Sequence, residues 1–403
     1  MALLTIDTRQ PIAAQPAFAL LQLGFRPLFL AGISFAIIAM LLWTLQTSGI
    51  GVMEGQTLPN HLWHAHEMIF GYALAIVIGF LLTAVQNWTG VATIKGKALA
   101  VMVIFWLLAR FAMWWHAALP LWLVALPQLV FILMALVAFT QPVIQVKQWS
   151  QGSISAKIAI LAIAELLFFL GMNGSPGSAI YWGLYSGLYT ILAIALLMMR
   201  RVVPFFIERG TQGVCRPVNR RWVDISSLIL FTLFAVSDVF ALQQTLTSLL
   251  AILLAILHLF RLYGWYHPVI WRYPLLWVLI LAYLAMITGF LLHGLVTFGL
   301  SHSLATHAIG VGSLGLITAG MIARVTLGHT GRDINTPPAI VKPIFLLLLL
   351  AMLLRLLLPS LVATEHYFLA MLPAQICWIS AFSLLLWQYG PMLVKPRVDG
   401  KAG

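Results

Sequence analysis

Histidine and glutamate side chains crowd into one short segment, just where a long apolar stretch begins. His61, His64 and His66 lie within six residues, and Glu67 follows them directly. Ionisable groups at the mouth of a membrane helix are costly unless they bind something, and neutral imidazole is a preferred ligand of transition metals and haem iron. The segment therefore predicts His64 and His66 as haem or metal ligands. Solvated histidines in an exposed loop are the alternative.

Helical spacing assigns a separate role to the carboxylate in this segment. His64 and Glu67 are three residues apart and share one helix face, whereas His66 points elsewhere. A carboxylate on that face can orient the imidazole or exchange a proton beside a bound metal. Glu67 is therefore the predicted catalytic residue, as a proton donor.

A second candidate site lies in the tenth apolar stretch. Ser303, His307, Gly310 and Ser313 form a stripe of small and polar residues at helical spacing. Such a face lets a flat macrocycle or another helix approach the backbone closely. His307 would lie well inside the membrane boundary, where a buried imidazole is a natural axial ligand for haem iron. Its alternative role is a hydrogen bond to a neighbouring helix.

Two further histidines flank the short connection before that stretch. His293 and His302 would face each other across the turn, which predicts that both belong to one pocket. Both are candidate metal ligands, and His302 is also a candidate cofactor ligand. The sequence does not tell which of the two binds anything.

Three charged residues fall within apolar stretches, where isolated charges cost several kcal/mol. Glu165, Asp238 and Arg110 must therefore pair, become neutral or line a wet path. A proton route is one interpretation, with Arg110 as a partner for haem propionates. Structural ion pairs between helices are the other.

The far end of the tenth stretch carries Arg324 and His329 between glycines. These side chains could bind an anionic headgroup, a quinone or a cofactor. They could equally serve as anchors at a basic membrane surface.

The composition indicates the elements that must hold these groups. The chain is 62% hydrophobic and 8% charged, whereas soluble domains carry about 25% charged residues. Such a chain would precipitate in water, so membrane lipid is its predicted surroundings. The net charge of +12 is typical of basic cytoplasmic loops in a membrane protein, and no nucleic-acid partner is expected.

A membrane span needs roughly 20 apolar residues, and only helices or closed barrels satisfy their backbone in lipid. Runs of this length indicate helices and predict an all-α, polytopic membrane protein. Twelve spans are predicted, at about 27–46, 67–87, 98–116, 119–139, 156–173, 178–199, 223–244, 246–265, 274–295, 302–323, 340–358 and 365–390.

The basic residues predict the orientation of these spans. With the N-terminus inside, every Lys and Arg except Arg110 and Arg355 falls toward the cytoplasm, which predicts that both termini are cytoplasmic. Most histidines then lie at the outer ends of spans: His61, His64, His66, His116, His293, His302, His307 and His366. The candidate site would face the periplasmic side.

The chain is predicted to form a single integral membrane domain. The long cytoplasmic loop 200–222 would join two six-helix halves, about 27–199 and 223–390, between which no sequence repeat is evident. The first fifteen residues contain no apolar core of a signal peptide. Cys215 and Cys377 form no CxxC or zinc pattern.

Several segments resemble the NnrS family, in the same order and over essentially the whole chain. They are Phe25–Phe29, Trp63–Gly71 (WHAHEMIFG), Gly79–Ala84 with Asn87–Gly90, and Arg324–Val325 with Gly328–Arg332 (GHTGR). The resemblance implies a bacterial inner-membrane protein that contains haem and copper and is linked to nitric oxide metabolism. It singles out His64, His66, Glu67, His307, Arg324 and His329, without telling which bind haem and which bind copper.

The haem–copper oxidase superfamily also combines twelve helices with haem. Its enzymes carry an adjacent His-His pair and a His-Pro-Glu segment, and this chain has neither. Any similarity in chemistry would be convergent.

These observations predict a haem protein, b-type by expectation, that reduces nitric oxide to nitrous oxide and protects against nitrosative stress. Nitric oxide dissolves in the bilayer, as does quinol, the expected electron donor of a chain without a soluble redox domain. A transporter or cofactor-handling protein that supports another reductase is an alternative, because twelve spans suit that class. A nitric oxide binder without turnover is a third reading. The oligomeric state is left open.

Overall fold

The computed structural model describes residues 18–51, 58–174, 176–362 and 366–401. Within these ranges the chain is helical without strands, and twelve helices are long and apolar enough to cross a membrane. The predicted all-α, multi-pass membrane fold is thus confirmed. The helices are α1 Phe25–Thr47, α2 Asn60–Thr89, α3 Lys97–Trp114, α4 Leu121–Gln145, α5 Trp149–Met172, α6 Ala179–Gly210, α7 Arg221–Val239, α8 Gln244–Trp265, α9 Pro274–Gly294, α10 His302–His329, α11 Val341–Leu361 and α12 Tyr367–Val394.

Two predictions are not decided by this architecture. The expected lack of a signal peptide concerns residues 1–17, which lie outside the described ranges. The cytoplasmic placement of both termini also stays a prediction.

Several helices extend well beyond the apolar stretches that predicted them, among them α2, α6 and α10. α2 begins at Asn60, so His61, His64 and His66 are helical, and α10 continues to His329. α6 continues to Gly210, so the first half of the predicted loop 200–222 is helix. Hydropathy misses these turns because polar side chains interrupt their apolar runs, some buried against other helices, such as His66, and some exposed, such as Arg209.

Helices α2 and α10 are each interrupted by a π-helical segment of seven residues. The segments are Glu67–Ala73 and Ala308–Leu314. π-turns are rare, break the regular i→i+4 hydrogen bonding and occur frequently at functional sites. Each one begins directly after a histidine, His66 in α2 and His307 in α10.

The two interrupted helices also match in sequence at one constant offset. The matching pairs are His61 and His302, His66 and His307, Gly71 and Gly312, Gly79 and Gly320, Thr89 and Thr330, and Gly90 and Gly331. Gly90 and Gly331 both have positive φ, 71° and 77°, a conformation that glycine adopts without steric cost.

The helices around α2 and α10 correspond as well. α1 packs along α2 as α9 packs along α10, and the pairs α3–α4 and α11–α12 cover them in the same way. A Cβ at Gly71 would collide with α1 and α3, and one at Gly312 would collide with α9 and α11. The chain therefore contains a four-helix repeat, α1–α4 and α9–α12, with α5–α8 between the copies.

This repeat does not relate the two six-helix halves, between which no sequence repeat was expected. Its offset is eight helices rather than six, so comparing two six-helix halves does not align it, and few residues are identical. Because eight is an even number, both copies run through the membrane in the same direction. Equivalent helix ends therefore lie on the same side.

The centre of the bundle is formed by α2, α9 and α10, the helices with the most buried apolar windows. Tyr72 and Thr318 join α2 to α10 through a hydrogen bond of 2.5 Å between their hydroxyl groups. The ends of the chain also meet, because α1 packs against α12. The Arg26 Nη1 group donates to the backbone oxygens of Met392, Leu393 and Lys395 at 3.3, 3.0 and 2.9 Å.

Candidate functional site

A cavity of about 540 Å³ lies at the histidine-rich end of the bundle, where α1, α2, α6, α10, α11 and α12 meet. Its walls are mainly apolar and aromatic, including Trp43, Leu188, Val311, Met371 and Trp378. Small-molecule and cofactor sites are typically apolar cavities of about 300–1,000 Å³ with a few placed polar groups. The polar groups here include four histidines of α2 and α10: His61, His64, His302 and His307.

His64 presents an imidazole to this cavity from the first turns of α2. Its ring stacks on Trp43 of α1 with a centroid distance of 4.6 Å and an interplanar angle of 15°. The stacking fixes the plane of the ring. Its Nδ1 atom is buried without a hydrogen-bond partner in the described part of the chain, although buried polar groups are normally paired. A bound ligand would satisfy such a ring.

His307 reaches the same cavity from α10. Its Nδ1 group donates to the Ser303 carbonyl oxygen at 2.7 Å, one helical turn earlier. This bond fixes the tautomer and leaves Nε2 as an acceptor. The arrangement is the usual one for metal-ligating histidines, in which one ring nitrogen is oriented by a protein carbonyl.

A second group of ligating atoms lies beside the cavity. Asp238 of α7, His293 of α9 and His302 of α10 each offer one ligand atom, and these atoms lie within 4.8 Å of one another. His302 Nε2 is 3.1 Å from Asp238 Oδ1, and the Tyr189 hydroxyl donates to Asp238 Oδ2 at 2.5 Å. His293 Nδ1 is buried without a partner in the described residues. Two imidazoles and one carboxylate form a donor set that suits a transition metal.

The third cluster is a buried charge network outside the cavity lining. His66 lies between two carboxylates, with Nδ1 2.8 Å from Glu67 Oε1 and Nε2 2.9 Å from Glu165 Oε1. Arg110 of α3 donates to Glu67 Oε1 at 2.6 Å and to the side-chain oxygen of Gln128. A doubly protonated His66 would donate to both carboxylates and, with Arg110, would balance their charge. The network ties α2 to α3, α4 and α5.

The sequence of this chain is similar to that of a known protein family. It matches the family model described as NnrS protein over residues 19–397. The chain belongs to the NnrS family. No curated protein matches it.

The NnrS motif Trp63–Gly71 is therefore split between two clusters by the structure. His64 faces the cavity, while His66 and Glu67 belong to the buried network. The structure does not place Glu67 at the cavity beside His64, because its Oε1 atom is bound by His66 and Arg110. Its role as a proton donor stays a prediction. Both ring nitrogens of His66 are engaged, which makes this histidine less suited to a metal than His64.

The three buried charges of the NnrS chain are all paired across helices. Glu165 contacts His66, Asp238 contacts His302, and Arg110 contacts Glu67. The hypothesis that Arg110 pairs with haem propionates does not fit this arrangement, because Glu67 already occupies its guanidinium. The alternative of structural ion pairs describes it better.

The predicted cofactor ligands Arg324 and His329 lie at the opposite end of α10. Seventeen residues separate His307 from Arg324, which is about 26 Å along a helix. Arg324 lies over the Phe206 ring at 4.1 Å, and His329 contacts the Phe25 ring. The cavity does not include either residue, so the NnrS motif GHTGR cannot share a cofactor with it.

Sequence reasoning missed two groups that the NnrS fold brings to the site. Trp43 and Arg355 both line the cavity, although neither belongs to a recognised motif. In the sequence, Arg355 is one of the two basic residues that do not fall on the predicted cytoplasmic side. That same departure was the signal that could have found it, because an arginine on the less basic side needs a specific partner.

Proposed function

We propose that the cavity binds haem with either His64 or His307 as the iron ligand, so that a position on the iron would be open to nitric oxide, and that the protein reduces nitric oxide to nitrous oxide. The NnrS family is associated with nitric oxide metabolism. The observation that carries the proposal is the pair of imidazoles from the two copies of the repeat, both directed into one apolar cavity. A b-type haem would supply an iron that binds nitric oxide and passes electrons to it.

The residues present fit this group. The unpartnered Nδ1 of His64 and the fixed tautomer of His307 are what iron ligation requires. Gly310 on the cavity wall leaves open space where a side chain would otherwise stand. The aromatic rings of Trp43 and Trp378 exclude water from the site.

The reaction balances with quinol as the reductant. Two molecules of nitric oxide take up two electrons and two protons, one N–N bond forms and one N–O bond breaks, and nitrous oxide and water leave. Quinol from the bilayer provides both electrons and both protons. Glu67 was the expected proton donor, but its place in the buried ion network favours a structural role.

We assign the protein to the bacterial inner membrane with the histidine-rich end toward the periplasm. The asymmetry of its basic residues supports this orientation. Nitric oxide would reach the cavity from the lipid.

Loss of nitric oxide in the presence of protein tests the proposal. The protein would be purified, supplied with haem and reconstituted in liposomes with a short-chain quinol. Turnover should exceed that of an equal concentration of free haem, and one nitrous oxide should appear for every two nitric oxide molecules lost. Turnover equal to free haem would reject the enzyme.

Copper is the second metal that the resemblance implies, and we propose the Asp238–His293–His302 cluster as its site. Asp238→Asn or His293→Ala should reduce copper bound to the purified protein to the background level, as measured by elemental analysis. His116→Ala is the matched control, because both ring nitrogens of His116 already bond to Leu58 N and Met113 O. Equal copper in all variants would place the metal elsewhere.

The internal repeat favours a second candidate function. Parallel repeats built around discontinuous helices are typical of transporters. A transporter for haem or copper would lose its cargo during purification, whereas an enzyme would retain one haem per chain with a fixed spectrum. Retention through detergent exchange decides between them.

A further inference from the structure

We infer that Arg355 binds a carboxylate of the cavity's ligand, in the place that Glu67 fills in the other copy of the repeat. The inference rests on the proposed function, under which the carboxylates are those of the haem propionates. The two copies of the four-helix repeat, α1–α4 and α9–α12, differ at this point, and that difference supports the inference.

Arg110 and Arg355 are comparable arginines of the two copies, although Arg355 lies about one helical turn nearer the histidine-rich end, since a Cβ at Gly71 would meet Arg110 and one at Gly312 would meet Met352. Each lies thirteen residues after a lysine that begins or nearly begins its helix, Lys97 in α3 and Lys342 in α11. Both arginines are buried, with exposed fractions of 8% and 7%. Each contacts the helix of its copy that carries the histidine preceding the π-turn.

In the first copy, an acidic side chain of the protein itself neutralises the arginine. Glu67 Oε1 lies 2.6 Å from Arg110 Nη1 and 2.8 Å from His66 Nδ1, so one carboxylate bridges the guanidinium and the imidazole. Glu165 covers the other ring nitrogen. None of these side chains lines the cavity.

The second copy has the cation and the imidazole, but among the described residues no acid pairs with them. Ala308 stands at the position of Glu67. The Arg355 Nη2 group contacts Ser303 Oγ at 3.1 Å, the Tyr367 hydroxyl at 3.3 Å and His307 Nδ1 at 3.4 Å. Its Nη1 group is buried without a partner, and no carboxylate pairs with it in the described residues.

A buried guanidinium without a counter-charge is strongly unfavourable, and Arg is well suited to bidentate recognition of carboxylates. Because Arg355 lines the cavity, a ligand carboxylate can reach it. A carboxylate of the ligand would therefore supply the counter-charge that the described residues of the second copy do not provide.

A comparison of the affinities for haem and for haem dimethyl ester tests this contact without any mutation. The ester has the same iron and ring but no free carboxylate. Both would be titrated into the full-length apo-protein in detergent and followed by the Soret band. Haem should bind about ten- to a hundredfold more tightly than the ester, the range expected for one charge-assisted contact.

Variants identify the residue responsible. Arg355→Gln should remove the difference between haem and ester, while Arg355→Lys should retain part of it. Ala308→Glu should pair with Arg355 internally and also remove the difference. Arg200→Gln is the matched control, since Arg200 is exposed and pairs with Asp224, and it should keep the full difference.

The outcomes separate this inference from the proposed function. Equal binding of haem and ester by the unaltered protein overturns the role of Arg355 but leaves the haem site standing. A difference that survives Arg355→Gln places the carboxylate contact elsewhere and also overturns the inference. Failure to bind either molecule rejects the haem site and the inference together.

Discussion

Arg110→Leu is expected to destabilise the folded protein by about 3–5 kcal/mol, the usual effect of removing one partner from a buried ion pair. The side chains of Arg110 and Glu67 are 7% and 1% exposed, so the remaining carboxylate could not be solvated. The measurement is the free energy of unfolding in detergent, from denaturant titrations followed by intrinsic fluorescence.

Arg200→Leu serves as the control for this prediction. Arg200 is 43% exposed, and its partner Asp224 also binds Arg261, so about 0–1 kcal/mol is expected. The double variant Arg110→Leu with Glu67→Gln should recover part of the lost stability, because the buried negative charge is then absent. If Arg110→Leu is no less stable than Arg200→Leu, the buried network does not hold α2 to α3.

At least one of His64→Ala and His307→Ala is expected to abolish stoichiometric haem binding. Changing a residue that merely orients a metal ligand lowers affinity by about 10- to 100-fold, so losing a ligand should cost more. The measurement is the ratio of the Soret band to the protein absorbance after gel filtration.

The control for the haem prediction is His258→Ala. His258 is a buried histidine of α8 that bonds to the Tyr283 hydroxyl at 2.6 Å and does not line the cavity. If His307→Ala loses the band, His307→Gly with added imidazole should regain it, since free imidazole can occupy the vacated space. Full haem content in both alanine variants would mean that other groups ligate the iron.

The fold was accessible from the sequence because the bilayer imposes a simple rule. Length and hydropathy identify a span whatever its neighbours are, and all twelve predicted spans correspond to helices. The ends of α2, α6 and α10 were not accessible, since their polar side chains interrupt the apolar runs from which spans are predicted. The π-turns leave no hydropathy signal at all.

The residue types that form the candidate site could be predicted from the sequence. How these residues divide between the cavity and the buried charge network could not. The spacing of His64, His66 and Glu67 indicated a polar cluster, yet it placed Glu67 beside His64 rather than in the buried network. That choice depends on Arg110 and Glu165, which approach from helices distant in sequence. The proximity of Asp238 to His302 likewise depends on how α7 meets α10.

The meeting of Arg26 with the end of α12 has a consequence for biogenesis. The Arg26 guanidinium and the Leu393 carbonyl are separated by 367 positions in the chain, which a ribosome takes roughly 20–70 s to translate at about 5–20 residues per second. During this time α1 would be in the bilayer without α12, the helix against which it packs in the folded protein. A nascent chain truncated before Met392 would lack the three backbone oxygens to which Arg26 donates in the folded protein.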